Sequence, residues 1–125
     1  MKLSQEQIKF MLAAGPMILA TASCNEGKGQ PRTCIIRTSG ILEDQIIIGD
    51  AEMGKTALNI KENNKVSLLS FASDYSRWLK ISGEAQYFDD NKIIEENQNM
   101  KYFNPDFPLK GIIIVKITSV EDIAG

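Results

Sequence analysis

Two short clusters in this chain have the residue types and spacing to hold an anion. The first is Gly54-Lys55-Thr56, which follows a strand-like run, Gln45 to Gly49, and opens a helix-like run, Lys55 to Glu62. At a helix start, a glycine, an ammonium and a hydroxyl add to the free N–H groups and the positive end of the helix dipole, a combination that suits phosphate. On its own this cluster reads equally well as a solvated lysine and an ordinary Thr56 cap. The second cluster, Pro31-Arg32-Thr33-Cys34-Ile35-Ile36-Arg37, tips the balance. Strand alternation places Arg32, Cys34 and Ile36 on one face and Thr33, Ile35 and Arg37 on the other. A guanidinium makes a planar two-point contact with phosphate, so Arg32 near Lys55 would form a charge-assisted clamp.

Gly49-Asp50-Ala51-Glu52-Met53-Gly54-Lys55-Thr56 also satisfies the literal G-x-x-x-x-G-K-[ST] pattern of a P-loop, after a strand and before a helix. Taken literally, it predicts an ATP or GTP hydrolase. Asp50 and Glu52 would repel a polyphosphate where backbone amides should cradle it. The strands that follow resemble a hairpin, whereas a P-loop domain needs parallel strands with helical crossovers. No aliphatic strand ends in an aspartate suited to Mg²⁺.

The chain has 125 residues, 43% hydrophobic and 24% charged, with a formal net charge of −2. That length suits one domain, and the charge gives no general attraction for nucleic acid or an anionic membrane. A bound phosphate must therefore be held locally. There is no histidine, which removes Ser-His and Cys-His nucleophile pairs and imidazole metal sites. The two cysteines, Cys24 and Cys34, lack CxxC spacing and read as reduced thiols in a cytoplasmic protein; Cys34 reads as a small buried hydrophobe. No apolar run is long enough to span a membrane. A cofactor that brings its own reactivity fits this inventory better than side-chain catalysis.

The elements that must position these residues follow from pattern. Ser4 to Ala14 is a helix with a capping box at Ser4 and Gln7 and a stop at Gly15-Pro16. Strands are expected over Met17–Ser23, Arg32–Thr38 and Gln45–Gly49, with hairpin turns near Asn25–Pro31 and at Ser39-Gly40 and Glu43-Asp44. A helix over Lys55–Glu62 stops at Asn63-Asn64, with Ala57, Leu58 and Ile60 as its apolar face. Lys65–Phe71 and Arg77–Phe88 pair around Ala72–Ser76, and Gly83 marks a bulge or bend. A polar helix from Asn91 to about Lys101 and a last strand over Gly111–Ile117 complete the chain. The order α-β-β-β-α-β-β-α-β argues for a mainly β fold of about six antiparallel strands with short helices.

In this order and spacing the sequence resembles the FMN-binding split-barrel family, whose best-known members are the pyridoxamine 5'-phosphate oxidases. Arg32 to Arg37 is similar to the family's Arg-x-(aliphatic)₃-Lys strand, with arginine as the last residue. Met53-Gly54-Lys55 stands where the family has Ser-Arg-Lys and keeps the lysine. Asn63-Asn64-Lys65-Val66-Ser67-Leu68-Leu69 resembles the next strand without its proline, and Ile81-Ser82-Gly83-Glu84-Ala85 resembles the one after. The resemblance implies FMN as cofactor, with Arg32, Lys55 and Thr56 on its phosphate and Gly54 in the turn. It also implies Thr33, Cys34 and Ile35 along the isoalloxazine, Arg37 closing that strand, and Ile48 and Gly49 beneath the ring. It further implies a homodimer with two FMN sites at the interface, where Trp78 falls near the partner's approach to the flavin. Without the family, Trp78 reads first as a core aromatic. The family's oxidases carry a further C-terminal segment with basic and histidine residues. This sequence ends at Gly125 without histidine, so pyridoxamine phosphate is not the expected substrate.

The leading expectation is thus an FMN-dependent oxidoreductase or flavin carrier in which no catalytic residue is named. A non-enzymatic module that stores or senses FMN is the rival, and F420 or haem in place of FMN stays open. Tyr102-Phe103 with Phe107 read as packing for the last helix or part of a lid. Asp89-Asp90 and Glu95-Glu96 read as a solvated helix start and face.

Overall fold

The computed structural model describes residues 2–23, 29–50, 54–97 and 109–124. Expectations for Cys24, Asn25, Met53, the last helix beyond Asn97, and Tyr102, Phe103 and Phe107 fall outside these residues. Helix α1 (Gln5–Ala14) starts at a complete capping box: the Gln7 N–H donates to Ser4 Oγ at 3.1 Å, and the Ser4 N–H donates to Gln7 Oε1 at 2.9 Å. It ends at Gly15, whose φ of 78° reverses the chain while its N–H bonds Met11. Met11 is its buried residue, and Leu3 just before the helix also enters the core.

Seven strands follow: β1 (Met17–Ala22), β2 (Pro31–Ile36), β3 (Thr38–Ile41), β4 (Gln45–Asp50), β5 (Lys65–Phe71), β6 (Arg77–Phe88) and β7 (Gly111–Ala124). Helices α2 (Lys55–Glu62) and α3 (Asn91–Asn97) lie between β4 and β5 and between β6 and β7. The sheet order is β2-β1-β5-β6-β7-β4-β3, and every pairing is antiparallel. Its two edges, β2 and β3, are consecutive in the chain with only Arg37 between them. The sheet must therefore curl until its ends approach, which gives the split barrel.

Two differences from the sequence reading stand out. The expected strand Arg32–Thr38 is two strands, and Ser39-Gly40 lies in β3, so the count is seven and the turn is confined to 42–44. The cause is local: Thr38 Oγ1 donates to the carbonyls of Gly40 and Ile47, both at 2.8 Å, and a register shift separates Thr38 from Gly40. The last strand also runs on to Ala124, because its second half pairs with β6 from Ser119 opposite Ser82 to Ala124 opposite Arg77. Gly83 sits at a bulge as expected. A Cβ there would lie 2.6 Å from the Lys116 carbonyl oxygen.

The barrel interior is aliphatic: Leu19, Ile46, Ile48, Leu68, Leu79, Ile81, Ile113 and Val115 are all essentially inaccessible, with Met11 and Met17 beside them. The all-antiparallel pairing lacks the parallel strands that a P-loop domain requires, so the nucleotide-hydrolase reading falls.

Candidate functional site

Helix α2 packs against β1 and β6. Thr56, Ala57 and Ile60 face inward and are buried. Lys55, Leu58, Asn59 and Glu62, spaced i, i+3, i+4 and i+7, face an open cleft of about 820 Å³. The opposite wall is Arg32 and Pro31 of β2 with Ser23 and Gln30 from the β1–β2 connection. That wall is pinned at its base, where the Ser23 N–H donates to the Gln30 carbonyl at 3.1 Å and the Gln30 N–H to Ser23 Oγ at 2.9 Å.

Arg32 and Lys55 thus share one cleft, and both are exposed. The N-cap is Gly54, with φ 52° and no side-chain cap bond, and a Cβ at Gly54 would meet nothing within 4 Å. Among the described residues, the first amides of α2 therefore have no side-chain acceptor at the cap. Two cations, uncapped N–H groups and the positive end of the helix dipole fit a phosphate.

Other residues singled out in the sequence lie elsewhere. Thr56 is the second helical residue, not the cap. It is 2% exposed, and its hydroxyl donates to Cys34 Sγ at 3.8 Å, tying α2 to β2 under the cleft floor. Thr33 and Ile35 face outward on β2, with Ile35 76% exposed. Arg37 lines a small crevice with Met11, Leu12, Gly15 and Thr38. Ile48 belongs to the core, and Gly49 packs beneath Leu109. Trp78 is half-buried on the outer face of β6, opposite Phe71 of β5 and Ile123 of β7.

Asp50, one of the two carboxylates expected to repel phosphate, is 3% exposed and accepts a hydrogen bond from the Tyr87 hydroxyl. Burial, that hydrogen bond and the charges of Asp50 and Asp89 push the Tyr87 phenol well above the ordinary tyrosine range.

Leu58 was assigned to the apolar face of α2, yet it is 58% exposed and lines the cleft. Its spacing from Lys55, Asn59 and Glu62 was the available signal. Ser23 and Gln30 had none, because only the β1–β2 register brings them to the site.

Fold and cleft together define a small β-barrel protein with an open cleft lined by Arg32 and Lys55. A family profile described as pyridoxamine 5'-phosphate oxidase matches residues 3–124, and the chain belongs to that flavin-binding family. It is 29% identical over 126 residues to an uncharacterized protein of Methanocaldococcus jannaschii, an alignment covering 98% of this chain and 81% of that one. Among solved structures it is similar to an FMN-binding protein from Syntrophomonas wolfei, with 20% identity and a TM-score of 0.75, covering 96% of this chain and 86% of that one. It is also similar to an F420 reductase, with 16% identity and a TM-score of 0.69, covering 95% and 98%. Among the described residues no helix is long and apolar enough to cross a membrane, and no cluster of His, Cys, Asp and Glu could hold a metal ion.

Proposed function

We propose that this chain is a single-domain, cytoplasmic FMN-binding protein that acts as a flavin-dependent oxidoreductase. Its cleft between β2 and the start of α2 would take the FMN phosphate. The observation that carries this reading is that Arg32 and Lys55, far apart in sequence, line one open cleft at an uncapped helix start. Arg32 would make the two-point contact, Lys55 a point-charge contact, and the Gly54-Lys55 amides would complete the cradle. Thr56 and Cys34 would support the floor, while Thr33, Ile35, Trp78 and a second subunit would enclose the ring. The bound flavin would supply the electron transfer, and the protein would bind it, orient it and limit its exposure to water.

The partner would be a second copy of this chain. An apolar band runs across the outer face of the sheet. Ile35 lies opposite Ile18, which lies opposite Leu69; two residues along, Phe71, Trp78 and Ile123 lie opposite one another. Ile35 and Ile123 are exposed, as is Tyr75, which stacks on Phe71 at the hairpin tip with ring centroids 6.0 Å apart.

Two substitutions test the cleft against a P-loop. Arg32→Ala is expected to weaken FMN binding about tenfold to a hundredfold, the loss of one charge-assisted contact of roughly 1.5–3 kcal/mol. Gly49→Ala is expected to do much less, since its Cβ would press on the movable tip of Leu109, 2.8 Å away, and otherwise meet Ser39 Oγ at an ordinary contact distance of 3.4 Å. Normal FMN affinity in Arg32→Ala, with abolished binding in Gly49→Ala, would overturn the assignment.

A further inference from the structure

We infer that Glu62 is a specificity residue of the cleft: it favours a ligand whose chain stops at the phosphate and disfavours one whose phosphate leads on to carboxylates, as in F420. The inference rests on the phosphate reading of the cleft and goes beyond it, by saying which cofactor of that chemistry the cleft accepts.

Glu62 is the last residue of α2, seven positions after Lys55, and both line the cleft. At 1.5 Å per residue the two stand about 10 Å apart along the helix axis, two turns apart on one face. That face is fixed from below, where Thr56 donates to Cys34 Sγ and Asn59 Nδ2 donates to Thr21 Oγ1 at 3.3 Å. The helix therefore gives the cleft opposite potentials at its two ends. Its N-terminus brings Lys55 and the positive end of the dipole, with Arg32 on the facing wall. Its C-terminus brings the Glu62 carboxylate and the negative end.

A flavin with its ring along Thr33 and Ile35 and its phosphate on Arg32 would send any further chain the other way. That chain would pass Pro31, Gln30 and Ser23 on one wall and Leu58, Asn59 and Glu62 on the other. Arg32, Lys55 and Glu62 are the charged groups among the described residues that line the cleft. Two neighbouring ammonium groups are engaged elsewhere: Lys61 stands 4.5 Å from the Tyr87 ring centroid, and Lys65 pairs with Glu84.

Once a phosphate holds Arg32 and Lys55, a carboxylate tail would meet Glu62 with no cation among the described lining residues to offset it. Glu62 is exposed, so this is the repulsion of a screened surface pair, worth a few-fold in affinity. The FMN phosphate is spared. It would sit about 10 Å from Glu62, beyond the Debye length of about 8 Å at physiological salt, and no tail follows it.

The test is equilibrium titration of wild type, Glu62→Gln and Glu62→Lys with FMN and with F420 carrying its glutamate tail, at about 0.15 M and about 1 M salt. Differences between the two rings are common to all three proteins, so the change in the F420-to-FMN affinity ratio isolates Glu62. At the lower salt that ratio is expected to rise about threefold in Glu62→Gln and about tenfold in Glu62→Lys, and both gains are expected to fade at the higher salt. FMN affinity in Glu62→Gln is expected to stay within about twofold of wild type. With FMN bound by wild type, each of four results would overturn the inference alone: a ratio unmoved in both variants, a gain that persists at about 1 M salt, F420 bound by none of the three, or a wild type that prefers F420. Should wild type bind neither cofactor, the phosphate reading of the cleft falls, and the inference with it.

Discussion

Lys55 and Ser70 show how differently a side chain reads in sequence and in space. Lys55 was legible as a site residue because its chemistry and its place after Gly54 coincide, and the structure sets it at the helix start facing the cleft. Ser70 was invisible: it sits in an alternating strand, where a serine reads as solvent-facing. In the fold it is fully buried, and its hydroxyl has no partner among the described residues. An unsatisfied buried hydroxyl costs free energy that a methyl would not. Ser70→Ala is therefore expected to raise stability by up to about 1 kcal/mol, read as a higher urea midpoint at unchanged slope. A lower midpoint would show that the hydroxyl has a partner after all. Thr56 makes the same point in reverse, since its type suggested a cap while burial gives its hydroxyl to Cys34.

At the scale of elements, helix and strand positions followed from capping and alternation, but the ties between elements did not. Helix α1 was legible from Ser4 and Gln7, yet nothing local to it foretold that Arg77 would hold it to the sheet. Arg77 donates to Glu6 through Nη1 at 2.7 Å and Nη2 at 2.8 Å, and to Asp122 through Nε at 3.0 Å and Nη2 at 2.7 Å. Its guanidinium also lies 4.5 Å from the Phe10 ring centroid, and Gln7 Nε2 donates to Asp122 at 3.2 Å. These contacts depend on β7 running past Ile117, which the aliphatic pattern could not show because the strand turns polar at Thr118 and Ser119. The Arg77 hydrogen bond holds the Asp122 carboxyl below the usual aspartate range, against a smaller opposing effect of burial. A depressed carboxyl stabilises the fold above its unfolded value of about 3.9, and that contribution disappears as pH falls through the depressed value. Asp122→Asn is thus expected to melt a few degrees lower than wild type near neutrality, with the gap closing in acid. A gap independent of pH would remove the ionised carboxylate from the account.

For the whole molecule, the antiparallel barrel was legible because strands follow one another with few helices between them. The count of seven was not, since the division at Arg37 depends on the Thr38 hydroxyl bonds that turn β3 to the opposite sheet edge. The outer apolar band was equally hidden, because it assembles from five strands through their pairing. If that band joins two copies, sedimentation should give a dimer. Replacing the 76%-exposed Ile35 by Glu should yield a folded monomer with weakened flavin binding. A wild-type monomer that holds FMN fully would contradict this assembly.

The central claim, that the Arg32–Lys55 cleft exists to hold a flavin's phosphate, is tested most directly by calorimetric titration of the same protein with FMN and with riboflavin. The two ligands share the ring and differ by the group this cleft would bind. The account predicts that FMN binds at least about a hundredfold more tightly, the loss of two or more charge-assisted contacts at about 1.5–3 kcal/mol each. Equal affinity for the two ligands would contradict it.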